Sequence, residues 1–82
     1  MKSSNKDQLL TFELDKDTGE LEIHTNNEGL KILKEKIEFL LNSKHNEHTH
    51  LMSEEWGGKE ITTKKQSKNN DLIKIVKMFK WY

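Results

Sequence analysis

The chain has 82 residues, of which 34% are charged and 32% are hydrophobic, and it contains no cysteine. A chain of this length is expected to form one domain with a thin core, over residues 1–82, without disulfides or thiolate metal sites. No stretch approaches the roughly 18 apolar residues of a membrane span, and the start Met1–Asp7 lacks the apolar run of a signal peptide. We therefore expect a cytoplasmic protein with no membrane partner, in which the polar residues 1–8 are frayed.

The net charge is zero, but the charge is unevenly distributed along the chain. Residues 1–60 hold 8 lysines against 13 acidic residues, whereas residues 61–82 hold 6 lysines against a single aspartate. All fourteen basic residues are lysine. Nucleic-acid binders favour arginine, because its guanidinium pairs with phosphate and guanine in a bidentate manner. The absence of arginine therefore argues against a nucleic-acid partner.

Two alternating segments open the folded part of the chain. Leu9–Leu14 and Glu20–His24 alternate apolar and polar residues, and the intervening Asp15–Gly19 is rich in turn formers. This pattern predicts a β-hairpin with one wet face. Thr25 and Glu28 then have the spacing of a capping box, which predicts a helix that begins there and ends near residue 42 or 44.

The predicted helix has apolar residues on two sides. Ile32 and Phe39 fall nearly opposite the main stripe at about 100° per residue. They are either isolated surface residues or a second contact surface, such as a homodimer through Ile32 and Phe39. The main stripe, which we expect to be buried, consists of Leu30, Leu33, Ile37, Leu40 and Leu41.

The second half of the chain reads as short strands and turns. We predict a strand at Thr49–Ser53, a turn at Trp56–Gly58, a short strand at Glu60–Thr63 and a solvated loop at Lys64–Asn70. The C-terminal segment fits a helix or a strand, and its β-branched and aromatic residues favour a strand over Ile75–Trp81, entered through one helical turn. The order ββαβ(β)β predicts an α+β fold, a small antiparallel sheet with one helix packed on one face.

No arrangement typical of an enzyme is present. His48 and His50 share one face of a strand, a spacing that suits zinc together with an acid such as Glu47 or Glu54. Only this pair has regular geometry, so the sequence favours two exposed histidines and leaves metal binding open. Ser53 lacks a nucleophile elbow, and no phosphate-binding loop is present. We therefore predict no enzyme activity, no catalytic residues, no metal site and no cofactor.

Lysines and aromatic residues alternate near the C-terminus. Such a stripe grips single-stranded nucleic acid by stacking, or it packs its aromatic side chains into the core while the lysines face water. We favour the second interpretation. The residues concerned are Lys64, Lys65, Lys68, Lys74, Lys77, Lys80, Phe79, Trp81 and Tyr82.

The segment from His48 to Ile61 holds the most distinctive composition of the chain. Trp56 stands beside Gly57 and Gly58, and loops seldom expose their largest apolar side chain to water. Trp56 either closes the open edge of a thin core or serves as a binding anchor.

The run from His50 to Thr62 resembles the family called immunity protein thirty-two of bacterial polymorphic toxin systems. The resemblance is carried by Leu51–Ser53, Trp56–Gly58 and Glu60, and then by the lysine-rich aromatic C-terminus. It implies a small non-enzymatic α+β protein that binds and neutralises a co-encoded toxin, without implying catalytic residues.

A rigid scaffold with acidic residues around an anchor suits that role, because the negative charge of residues 1–60 would steer a basic toxin. The competing interpretations are a small metal- or nucleic-acid-binding module and a homodimeric regulatory or structural domain. The hypothetical partner-binding residues are Glu54, Glu55, Trp56, Gly57, Gly58 and Glu60.

Overall fold

A computed structural model describes residues 7–82, which form one helix and five strands in two antiparallel sheets. The elements are β1 (Leu10–Asp15), β2 (Leu21–Thr25), α1 (Asn27–Leu41), β3 (Glu47–Met52), β4 (Asn70–Ile73) and β5 (Ile75–Lys80). The α+β prediction is confirmed, although the strands form two sheets, with orders β2-β1-β4 and β3-β5, where one was expected. Within the described residues, no helix is long and apolar enough to cross a membrane.

The predicted frayed start falls mainly on residues 1–6, which lie outside the described residues. Gln8 is described, and its side-chain amide donates hydrogen bonds to the carbonyl oxygens of Lys59 (3.0 Å) and Glu60 (2.7 Å). The chain is therefore already tied to its second half at Gln8, just before β1.

The predicted β1–β2 hairpin forms, with Phe12 opposite Ile23 and Leu14 opposite Leu21. The predicted wet face is wrong, because Thr11 and Glu13 of β1 are fully buried, whereas the apolar residues of β2 are exposed. Its turn is closed by the Gly19 N–H, which donates to the Asp15 carbonyl oxygen at 2.7 Å. Gly19 has a φ of +79°, a conformation that glycine adopts at little cost. The turn residues and the strand pairing therefore follow the prediction, but the burial of the two faces does not.

Helix α1 begins one residue later than the capping-box prediction. The N-cap is Asn26, whose side-chain oxygen accepts from the Gly29 N–H at 3.0 Å, so Thr25 is not the cap. The same Asn26 oxygen also accepts from the Leu9 N–H at 3.0 Å. The helix start is thereby fixed to the residue that precedes β1, and this sets the rotation of α1 about its own axis.

The face of α1 that packs against the core is therefore rotated about the helix axis relative to the predicted stripe. Leu40 is buried and Leu33 packs against the core, as expected, but Ile32 also packs against the core. A homodimer through Ile32 and Phe39 stays a prediction; Phe39 is 52% exposed, whereas Ile32 is partly buried and packs against the core. The remaining stripe residues are exposed, namely Leu30, Ile37 and Leu41.

The core lies where the two sheets and the helix meet. Four buried side chains form it: Leu10 and Phe12 from β1, Leu51 from β3, and Ile61 from the connection after β3. Partly buried side chains pack around them, namely Ile32, Leu33, Ile73, Val76 and Met78. A core of this size contributes modest stability, as expected for a chain of 82 residues.

A bend at Lys74 joins the two sheets. β4 pairs with β1, and after Lys74 the chain continues as β5 and pairs with β3. The strand predicted at the C-terminus is confirmed, but it is preceded by β4 and not by a helical turn. The strand predicted at Glu60–Thr63 is reduced to a single parallel bridge between Ile61 and Ser53.

The C-terminal aromatic side chains do not enter the core, in contrast to the interpretation favoured from sequence. Val76 and Met78 take the inward positions of β5, so the alternation of the strand turns Phe79 outward. Phe79 is 50% exposed and Trp81 is 69% exposed. Val76 and Met78 therefore pack against the core, and Phe79, with Trp81 beyond the strand, lies on the opposite face.

A fully buried carboxylate fixes the loop that leads into β4. The carboxylate of Glu13 accepts from the Gln66 N–H at 2.9 Å, the Ser67 N–H at 3.1 Å and the Thr11 hydroxyl at 2.6 Å. The side-chain amide of the buried Asn70 donates to it at 3.2 Å. These donors replace water around the buried charge and hold the loop against β1.

The hydrogen bonds also determine the protonation of Glu13. Burial by itself raises its pKa, because it penalises the charged form, but the donors from Thr11, Gln66, Ser67 and Asn70 outweigh burial and lower the pKa from 4.5 to about 2. A folded-state pKa below the unfolded value means that folding favours the ionised form. The corresponding stability is present above pH 4.5 and is lost as the pH falls toward 2.

We predict that Glu13→Gln lowers the free energy of unfolding by about 2 kcal/mol at neutral pH, because a neutral amide cannot accept from the same four donors. Urea denaturation at a series of pH values checks this. The natural protein should lose stability between about pH 5 and pH 2, and the variant should lose less over that interval. Glu35→Gln, at an exposed position of α1, is the control and should change little. Equal effects of both substitutions would contradict the prediction.

Candidate functional site

The distinctive segment of the sequence forms a tight turn at the end of β3. Residues Glu54–Trp56 make one turn of 3-10 helix, closed by the Trp56 N–H to the Ser53 carbonyl oxygen at 3.0 Å. The Gly57 N–H donates to Glu54 at 2.9 Å, and the Gly58 N–H returns to the Ser53 carbonyl oxygen at 3.0 Å. Three backbone hydrogen bonds within six residues give this turn a defined shape, in contrast to an open loop.

The two glycines serve different purposes in this turn. Gly57 has a φ of +87°, in the left-handed region, and it ends the helical turn with open space around its Cα. Gly58 is buried against the end of β3, where an added Cβ would lie 2.6 Å from the Cβ of Met52 and closer still to its carbonyl oxygen. Gly57 therefore supplies a backbone conformation, and Gly58 allows a close approach.

The base of the turn is fixed by contacts with β3 and with the bend between β4 and β5. The Ser53 N–H donates to the Lys74 carbonyl oxygen at 3.0 Å, at the bend between β4 and β5. The side chain of Glu60 reaches back and accepts from the Met52 N–H at 3.0 Å. The Ile61 N–H donates to the Met52 carbonyl oxygen at 3.2 Å, so the segment after the turn is also held to β3.

The turn displays a large apolar side chain directly after two acidic residues. Trp56 is 57% exposed, so it does not close the edge of the core. Glu54 and Glu55 are exposed beside it. The Glu55 carboxylate lies 3.0 Å from the Lys74 ammonium group, and both side chains stay about half exposed. An ion pair with that exposure contributes little stability and leaves both charges accessible to a partner.

The six residues proposed from sequence thus fall into three groups with different roles. Glu54, Glu55 and Trp56 are displayed on the surface, Gly57 and Gly58 shape the turn, and the Glu60 carboxylate is used within the fold. From sequence alone, Glu60 belongs with the displayed acids, because a charge between turn residues is usually solvated. Its contact with the Met52 N–H joins residues eight apart in the sequence, a distance that no local pattern reveals.

The histidine pair lies on the outer face of the β3–β5 sheet, as the spacing predicts. The rings of His48 and His50 are 5.1 Å apart in an edge-to-face arrangement, and the His48 ring lies 5.5 Å from that of Phe79. Among residues 7–82, a group of three potential metal-binding side chains occurs elsewhere, at Asp15, Glu20 and Glu22 in the hairpin.

We predict that Gly58→Ala destabilises the protein by about 2 kcal/mol, because the new methyl group meets backbone atoms that cannot move away independently. Gly57→Ala is the matched control, and it should cost about 1 kcal/mol through its left-handed φ alone. Thermal and urea unfolding of both variants would measure the difference. A smaller loss for Gly58→Ala than for Gly57→Ala would contradict the close approach at Met52.

Comparison with known proteins gives one finding. Neither the curated proteins nor the solved structures include a match to the chain. The family model described as Immunity protein 32 matches residues 20–76, from the end of the hairpin turn into β5, and so includes the whole turn at Trp56. This match covers more than half of the 82 residues. The chain therefore belongs to the Immunity protein 32 family.

Proposed function

We propose that this protein is a non-enzymatic immunity protein of the bacterial cytoplasm, which binds and neutralises a co-encoded toxin through the turn that spans residues 54–60. The observation that carries the proposal is Trp56, a large apolar side chain 57% exposed on a hydrogen-bonded turn. Membership of the Immunity protein 32 family supports a role in toxin immunity.

A rigid turn suits a tryptophan that acts as an anchor. Binding costs less conformational entropy when the contacting side chain is carried on a backbone that is already ordered. Trp56 is followed by the left-handed Gly57 and by the buried Gly58, so the backbone on its C-terminal side is fixed before any partner arrives. Tryptophan is also among the residues that most often contribute the largest share of the energy at protein interfaces.

The charges around Trp56 indicate the chemistry of the partner. Glu54 takes part in no ion pair within residues 7–82, and Glu55 holds only the exposed pair with Lys74. These carboxylates suit a toxin surface with lysine or arginine around an apolar pocket that receives the indole ring. Complementary charge of this kind mainly raises the association rate and selects the partner.

We predict that Trp56→Ala raises the Kd for the toxin at least about tenfold, because the partner pocket loses its central apolar contact. The co-purified or separately expressed product of the adjacent toxin gene is the binding partner, and titration calorimetry measures the Kd. Phe39→Ala is a matched control on α1, since Phe39 is 52% exposed and lies outside the turn. Equal Kd values for the natural protein and Trp56→Ala would overturn the proposed interface.

A second prediction separates charge from the apolar contact. Glu54→Gln should lower the association rate several-fold at low salt and have a smaller effect at about 0.5 M salt, where surface charges are screened. Stopped-flow association measures this rate, and Glu35→Gln on α1 is the control. A loss of the same size at both salt concentrations would contradict a steering role for Glu54.

A further inference from the structure

The outer face of the β3–β5 sheet is a second surface with an unusual composition. The cross-strand register places His50 beside Lys77 and His48 beside Phe79 on this face, while Val76 on the opposite face packs against the core. The face consists of His48, His50, Met52, Ile75, Lys77 and Phe79, and Trp81 continues it beyond β5. We call these residues the aromatic face.

The rings on the aromatic face form a continuous row. The centroid of Phe79 lies 5.5 Å from that of His48 and 5.7 Å from that of Trp81. Phe79 and Trp81 are almost parallel, with 4° between their planes. Phe79 is 50% exposed and Trp81 is 69% exposed, so a substantial part of each ring is open to a ligand.

The charge of this face is positive. None of its residues is acidic, although the chain holds 14 acidic residues. The Lys77 ammonium group lies 5.9 Å from the centroid of the Phe79 ring and forms no ion pair within residues 7–82. Of the neighbouring lysines, Lys74 pairs with Glu55 and Lys80 donates to the Ser43 carbonyl oxygen, so Lys77 supplies the positive charge of this face. An anionic ligand is therefore the electrostatic complement of the aromatic face.

We propose that the aromatic face binds single-stranded nucleic acid. Every base has a flat face that stacks on an exposed aromatic ring, and every linkage carries a phosphate that a lysine neutralises. The row of rings together with Lys77 provides both kinds of contact on one surface. An acidic protein would use the positive charge but would not need the exposed, stacked rings of Phe79 and Trp81, so the geometry favours nucleic acid.

The absence of arginine limits how this site reads its ligand. Bidentate reading of guanine in a duplex groove relies mainly on arginine, whereas stacking on single strands tolerates any base. We therefore infer a ligand that is single-stranded and is bound with little sequence preference. The sequence alone favours C-terminal aromatic side chains that pack in the core, where no base could stack on them. Because Phe79 and Trp81 are exposed, this argument against nucleic-acid binding does not apply.

The test uses the tryptophan of the aromatic face as its own reporter. The full chain has two tryptophans, and Trp56→Phe leaves Trp81 as the only one. The probes are an oligothymidine of about twelve nucleotides, the duplex of the same length, and heparin as a polyanion without bases, at about 50 mM salt. We expect the oligothymidine to quench Trp81 fluorescence and to bind more tightly than the duplex or heparin.

Two substitutions identify the contributions of stacking and charge, and fluorescence anisotropy of a labelled oligothymidine measures them. Phe79→Leu should weaken binding about tenfold, and Phe39→Leu, on an aromatic side chain of similar exposure on α1, should not. Lys77→Gln should lower the salt dependence of the binding constant by about one phosphate contact. Thermal unfolding establishes that each variant is folded.

Three results would overturn the proposal. The first is the absence of quenching by any oligonucleotide at low salt. The second is binding of heparin as tight as that of oligothymidine and unchanged by Phe79→Leu, which would indicate charge alone. The third is a loss of toxin binding by Phe79→Leu in a protein that binds no oligonucleotide, which would make the aromatic face a protein interface. The proposed role of Trp56 is measured separately, with the toxin as the partner. A negative result for one proposal therefore leaves the other unaffected.

Discussion

The buried carboxylate of Glu13 is the interaction on which the second half of the fold depends. It sits in the central strand β1, and it accepts hydrogen bonds from the backbone of Gln66 and Ser67 and from the side chain of Asn70. A charge without water needs such donors, and the loop can supply them only by crossing this face of the sheet. The path of the loop is thereby fixed, and β4 begins beside β1 with Asn70 opposite Asp15.

The position of β4 determines the rest of the structure in turn. β4 leads through Lys74 into β5, and the Lys74 carbonyl oxygen receives the Ser53 N–H at the end of β3. The turn at residues 54–60 therefore lies where the two sheets meet. One backbone hydrogen bond joins its start to Lys74, and another joins the residue after it to Met52 of β3. A network centred on Glu13 thus orients a surface that Glu13 does not itself contact, through β4 and the bend at Lys74.

The parts of the fold that follow from short-range patterns were predictable from sequence. Alternation identified β1, β2 and β5, since a period of two depends only on neighbouring residues. The same alternation does not say which of two apolar faces points inward, and the aliphatic and aromatic faces of β5 were interpreted the wrong way round. The rotation of α1 was missed for a related reason: the contact between Asn26 and Leu9 joins segments that are distant in sequence.

Polar residues with internal partners were the least predictable part of the site. A glutamate in an alternating strand is normally assigned to the wet face, so Glu13 looked like a surface residue. Glu60 was grouped with the exposed acids for the same reason, although its carboxylate accepts from Met52. The sequence did locate the turn correctly, because Trp56, Gly57 and Gly58 carry local conformational information that does not depend on distant contacts.

Exposure alone does not identify a functional residue in a chain of this size. Eleven large apolar side chains within residues 7–82 are exposed and five are buried, as expected when the interior is too small for the apolar residues available. Leu21 and Leu41 are among the exposed ones. What distinguishes Trp56 and the pair Phe79 and Trp81 is order: the first stands on a turn closed by backbone hydrogen bonds, and the other two stack on each other. An exposed side chain on an ordered backbone, or stacked on a neighbouring ring, has less conformational freedom to lose on binding, so a partner gains more of the contact energy there.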